Sequence, residues 1–284
     1  MATLKSIRKR IASVRNTQKI TKAMKMVSAA KLRRAQNRLI QARPYAERVE
    51  GLLRSVATLA GSHPFFATRE PATKAEFLIL TSDRGLCGGF NGNLLRRIEN
   101  FLQESGTTTP EVRVRLIGKK GRDFFKAHHR EPLAVETGIY EKFTFAQAAE
   151  KTEAILHDYR EGRFDHFYLV YNRFKSAISQ EIRIDRILPI EPQKSDHYLP
   201  EYLYEPDRDL LIDSLVKKGL AALLYRAVLE STAAEFGARM AAMESATNNC
   251  TDMIYRLTLQ LNRARQAAIT RELMDIVNGA EALK

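Results

Sequence analysis

From Ile212 onward, Leu215, Gly219, Ala222, Leu229, Ala233, Phe236, Met240, Met243, Cys250, Ile254, Leu257, Leu261, Ala264 and Ala268 recur at alternating steps of three and four. Only Arg226 and Thr247 are polar in that series, and no proline interrupts it. A seven-residue repeat held over eight heptads is the pattern of a coiled coil, not of a surface helix. At helical rise the stretch from Asp209 to Gly279 spans roughly 100 Å. A compact chain of this size has a radius of gyration of only about 19 Å. The sequence therefore predicts a helix that projects from whatever globule the rest of the chain forms.

A second rod is expected over residues 3–56, about 80 Å long. Leu4, Ile7, Ile11 and Val14 are heptad-spaced, and the register resumes at Leu32, Ala35, Leu39, Ala42, Ala46, Val49, Leu53 and Val56. Between them the same positions hold Gln18, Thr21, Lys25 and Ser28, a polar break expected to weaken or rotate the packing. Pro44 removes a backbone donor and is expected to kink or break this helix. Two rods at opposite ends of a chain most simply bury their seams against each other, as an antiparallel two-helix coiled coil.

Between the rods the pattern changes. Residues 61–74 read as a linker. FLILTS (77–82), VRVRLIG (112–118), HFYLVYNRF (166–174) and EIRIDRILPI (181–190) read as strands, with helices over 92–104, around Phe124 and Phe125, and over 144–161. Alternation of this kind predicts an open, mostly parallel α/β sheet with helices on both faces. The expected organisation is a coiled-coil helix over 1–60, an α/β domain over 75–195 and a second coiled-coil helix over 207–284.

Charge narrows the function. Residues 1–43 carry thirteen Lys or Arg and no acid, against a net charge of +13 for all 284 residues. A solvated helix would intersperse glutamates to relieve i,i+4 repulsion, so this end is expected to meet something negative. Nucleic acid fits on charge, yet the stretch has no aromatic residue before Tyr45 to stack on bases. No run is long enough to span a bilayer, and no signal-peptide core opens the chain. Two cysteines, Cys87 and Cys250, are too few for a disulfide framework or a zinc site and point to the cytosol.

Candidate chemistry is sparse. SDRGLCGGFN (82–91) lies between a strand and a helix, where glycine-rich loops hold phosphates. It lacks both P-loop and dinucleotide spacing, so a tight turn with Cys87 buried in it is the plainer reading. His128 and His129 are adjacent and cannot face one metal together. Near the far end, Arg263, Arg265, Gln266, Thr270, Arg271 and Glu272 form a polar girdle on an otherwise smooth helix, expected to be covered by other chains.

Four stretches carry a resemblance: KSIRKRIASVRNTQKITKAMKMVSAAKLRRAQ, TSDRGLCGGFN, YLYEPD and LNRARQAAITRELMDIVNGAEA. Together they resemble the gamma subunit of the bacterial F-type ATP synthase over essentially the whole chain. The resemblance implies a non-catalytic rotor shaft, one per hexamer of alpha and beta subunits, with epsilon and a membrane ring of c subunits at its foot. It implies coupling of ring rotation to ATP synthesis or hydrolysis on beta, control of ATPase activity and proton flow, and no cofactor on this chain. Beta-subunit contacts carry over onto Met24, Lys25, Arg239, Arg265, Gln266 and Thr270, and foot contacts with the c ring onto Tyr202 and Glu205. The implied location is peripheral, on the cytoplasmic face of the bacterial inner membrane. The competing expectations are a basic coiled-coil nucleic-acid-binding protein, betrayed by steeply salt-dependent binding, and a nucleotide-dependent enzyme built on the sheet.

Overall fold

The computed structural model describes residues 4–60, 63–105, 111–192, 205 and 207–281. The element order is α1 (Leu4–Leu59), β1 (Lys74–Leu80), α2 (Phe90–Ser105), β2 (Glu111–Ile117), α3 (Lys119–Ala127) and β3 (Ala134–Glu136). A 3-10 turn (Tyr140–Lys142) follows, then α4 (Phe145–Arg160), β4 (His166–Phe174), β5 (Gln180–Leu188) and α5 (Arg208–Glu281). Packing divides the chain into two compact units, one of residues 1–28 with 240–284, the other of residues 29–239. Each long helix thus contributes to both.

In the first unit α1 and α5 run antiparallel. Ile7, Ile11 and Leu257 form a small buried core, with Val14, Ile254, Leu261 and Ala264 packed against it. The polar break does not rotate the seam: Thr21 and Ser28 are buried at the positions the heptad assigns them. Their register is kept by bonding across the seam. Gln18 Nε2 donates to Thr251 Oγ1 at 2.7 Å, Thr247 Oγ1 to Thr21 Oγ1 at 2.8 Å, and Lys25 Nζ meets Glu244 at 2.6 Å. A polar pair that satisfies itself holds its place in an apolar seam, because leaving it would strand both partners.

In the second unit the sheet order is β3-β2-β1-β4-β5, parallel except for the β4–β5 hairpin. β1 is buried on both faces, as its unbroken apolar run requires. Phe77 and Ile79 face Leu94, Leu95 and Ile98 of α2 and Phe125 of α3. Leu78 and Leu80 join Ile155, Leu156 and Tyr159 of α4 in a larger core. That core also takes Leu53 and Val56 of α1 and Ile212, Val216, Leu220 and Leu224 of α5, so both helices are rooted on the sheet's α4 face. α1 runs through Pro44 without a break. Ile40, whose carbonyl loses its donor there, is exposed. The three-residue strand β3 and the 3-10 turn are additions that periodicity does not signal.

Candidate functional site

In a doubly wound sheet, ligands bind where the strand order reverses, at the carboxyl ends of the strands. Here the reversal falls between β1 and β4, and the chain fills that crevice itself. Ala234 of α5 is packed with Cys87 and Phe90, and Phe174 at the end of β4 and Ala238 lie against them. Glu230, 2% exposed, accepts the backbone N–H of Phe174 at 2.8 Å and pairs with Arg43 of α1 at 2.7 Å.

The 82–91 loop is equally self-satisfied. Asp83 accepts the N–H groups of Lys119 and Gly138, at 3.1 and 2.8 Å, so a carboxylate of the chain sits where α3 would hold an anion. Asn91 accepts the Ser82 N–H and donates to Ser82 Oγ and to Cys87 Sγ. Cys87 is 2% exposed, and burial pushes its thiol upward, away from the reactive thiolate. Gly118, at φ 110, admits no side chain: a Cβ there would lie 2.1 Å from the Thr81 carbonyl oxygen.

Arg239 belongs to this crevice, and its burial was not visible in the heptad. It is 7% exposed, paired with Glu235 at 2.6 Å, and donates to the carbonyls of Arg84 and Gly85 at 3.1 and 3.2 Å. Its guanidinium is committed inside the second unit and does not stand on an outer surface. Burial drives the Glu235 carboxyl upward, and Arg239 pulls it partly back.

Other predicted site residues are open. In the first unit Met24 is half-buried, and Lys25 holds Glu244 with both side chains over a third exposed. Arg265, Gln266 and Thr270 are exposed, as is every residue from 269 to 278. That stretch includes Ile269, Leu273, Met274, Ile276 and Val277, each about half exposed or more. Lys5, Arg8, Lys9, Arg10, Arg15, Lys19 and Lys22 have no ion-pair partner among the described residues. Glu205 is exposed, and Tyr202 lies outside the described residues. Among the described residues no three His, Cys, Asp or Glu gather as metal ligands, and no helix is long and apolar enough to cross a membrane.

Within the second unit, two long helices rooted on an α/β sheet, one of them plugging its ligand crevice, define a structural class of protein. Residues 3–283 match the family described as ATP synthase. The ATP synthase gamma chain of Geobacter metallireducens is 46% identical, and that of Anaeromyxobacter sp. (strain Fw109-5) is 48% identical, each over the whole of both chains. A central-stalk chain of the Tetrahymena thermophila mitochondrial ATP synthase shares 25% identity and superimposes with a TM-score of 0.62, over 80% of this chain and 99% of that one. A chain of the Euglena gracilis mitochondrial enzyme, at 20% identity, shares the fold with a TM-score of 0.69, covering 99% of this chain and 94% of that one.

The chain belongs to the ATP synthase gamma chain family. Membership makes it a non-catalytic subunit and the central shaft of the rotor. The relatives lend no support to the nucleic-acid alternative.

Proposed function

We propose that the shaft works as three parts: coiled-coil helices over 1–60 and 207–284, and an α/β foot over 75–195. Turning with the c ring, it presents a different face to each beta subunit and so couples rotation to ATP synthesis or hydrolysis. The observation that carries this reading is the bare end of α5. A strip holding Ile269, Leu273, Ile276 and Val277 in water is unfavourable by roughly 25 cal/mol per Å² of apolar surface. A sleeve of other chains would cover it. Smooth aliphatic contacts also slide, where directional bonds would have to break at every step.

Beta contacts are assigned to Met24 and Lys25 on α1, and to Arg265, Gln266 and Thr270 on α5. The unpaired cations of α1 favour acidic segments of beta by charge complementarity. The buried setting of Arg239 supports a different part for it: clamping the 84–85 carbonyls and so fixing the foot to the helix that turns with it. Tyr202 and Glu205 are assigned to the c ring, with epsilon seated on the foot and the complex peripheral on the cytoplasmic face of a bacterial inner membrane. The test is reconstitution with alpha, beta and the membrane sector in vesicles. Deleting residues 268–284 together with Lys25→Glu is expected to cut proton-driven ATP synthesis at least about tenfold, and unchanged synthesis overturns the coupling role.

A further inference from the structure

One cavity of the second unit is untouched by these assignments. It measures about 280 Å³ and lies between α1, the β4–β5 hairpin and α5. Five arginines and five carboxylates line it, together with Leu53, Leu220 and Leu223. Pockets for drug-sized ligands run from about 300 to 1,000 Å³, so this one suits a smaller molecule. The hairpin register explains why charge converges here. Tyr171 and Arg173, two apart on β4, share one face of the sheet, and Arg183 of β5 lies opposite Tyr171. From α5, Arg226 interacts electrostatically with the same phenol.

Acceptors and donors in the cavity are unequally spent. Glu50 receives Arg54 and Arg226 on separate oxygens, at 3.0 and 2.9 Å. Asp185 receives Arg183 on one oxygen and the Tyr171 hydroxyl on the other, both at 3.1 Å. Glu230 receives Arg43 and the Phe174 N–H in the same way. Burial and the neighbouring Asp185 carboxylate hold the Tyr171 hydroxyl well above the usual phenol range, so it stays a donor. The guanidinium groups are less committed. Arg226, its side chain 15% exposed, spends only Nη2. Arg173 has no hydrogen-bond or ion-pair partner among the described residues. Each guanidinium carries five N–H donors. The unmatched groups are therefore donors, and a ligand that completes the cavity brings acceptors.

We propose that this cavity binds one small oxyanion, a phosphate or a short carboxylate, between Arg173 of β4 and Arg226 of α5. The planar guanidinium fork offers paired N–H groups that match either kind of oxygen pair. The walls also set a size limit. A single oxyanion is served by the two least committed guanidiniums, whereas a longer polyanion would meet the carboxylates as well. Since Arg173 stands on the sheet and Arg226 on the last helix, the occupant would bridge the α/β foot and α5.

The test is calorimetric titration of the full-length chain with inorganic phosphate and, separately, with succinate. Chloride at about 0.15 M screens the exposed basic helix. Saturable binding at one site is expected, with a dissociation constant of about 1 mM or tighter, and the tighter anion identifies the source. Arg173→Gln changes an exposed, unpaired side chain and is expected to weaken binding roughly tenfold. Glu47→Gln removes an exposed carboxylate from the lining and is expected to tighten it about threefold. Shifts of opposite sign at two exposed residues are not what a folding defect would produce. Arg15→Gln, outside the cavity, should leave the constant unchanged, and pyrophosphate should bind no tighter than phosphate. No saturable binding of either anion overturns the site. So does an equal loss in Arg15→Gln and Arg173→Gln, which would mark diffuse attraction to a cationic chain.

Discussion

Arg239 shows how one side chain ties a helix to a loop 155 residues earlier in the sequence. Its Nη1 donates to Glu235, and its Nη2 donates to two carbonyls of the 82–91 loop. Removing one member of a buried pair leaves the other charged and dry, at a cost of about 3–5 kcal/mol. Arg239→Ala is therefore expected to lower unfolding stability by about 3 kcal/mol in urea titrations. The double change Arg239→Met with Glu235→Leu should recover most of that loss, and equal losses would show that the pair is not what Arg239 supports. Glu76 gives a pH signature. It is 1% exposed and bound to Arg115, with its second oxygen unpartnered, and burial raises its pKa more than Arg115 lowers it. The folded state therefore holds this proton more tightly than the unfolded chain. As pH rises from the ordinary carboxylate range through the raised value, the group removes stability. Glu76→Gln cannot titrate, so wild-type stability relative to the variant should fall as pH rises through that window, read by urea unfolding at a series of pH values. A difference independent of pH would contradict the assignment.

At the scale of elements, the rods were legible because a heptad repeat is a local pattern summed over many turns. Even the polar break was in register, although its effect was not: the cross-seam bonds of Thr21 with Thr247 and Gln18 with Thr251 depend on residues over 200 positions away. The strands were legible from apolar runs, whereas β3 is too short to show a period. The plugged crevice and the burial of Arg239 could not be read at all, because a heptad says which face is apolar and not what covers it. Gly219 tests the contact between the two helices within the second unit. A Cβ added there would lie 2.5 Å from Leu53 Cδ1 and 3.0 Å from Val49 Cγ1. Overpacking at such a site costs typically 1–3 kcal/mol. Gly219→Val should lose about 2 kcal/mol in urea unfolding, even though valine fits the apolar pattern, and Leu53→Ala should restore part of it by making room. A neutral Gly219→Val would mean that the helices separate there without penalty.

For the whole molecule, the physical question is whether the end of α5 serves the fold or only its partners. The small core of the first unit closes at Leu261 and Ala264. Beyond Ala268 every described side chain through Asn278 is exposed, including five large apolar ones. Surface that is wet in both folded and unfolded states contributes nothing to unfolding free energy, whatever its hydrophobicity. A chain ending at Ala268 should therefore unfold within about 0.5 kcal/mol of the full chain in urea, since surface changes away from buried features fall in that range. The same truncation should weaken association with an alpha/beta hexamer, measured by co-sedimentation, because the apolar strip is available to be buried only there. Lys25→Glu belongs to the same class: its ion pair is 38% and 51% exposed, and pairs of that kind are worth at most about 1 kcal/mol. If truncation at Ala268 instead cost the isolated chain several kcal/mol, the end of α5 would be part of the fold. A loss of coupling in truncated complexes would then be a folding defect and no evidence for a sleeve.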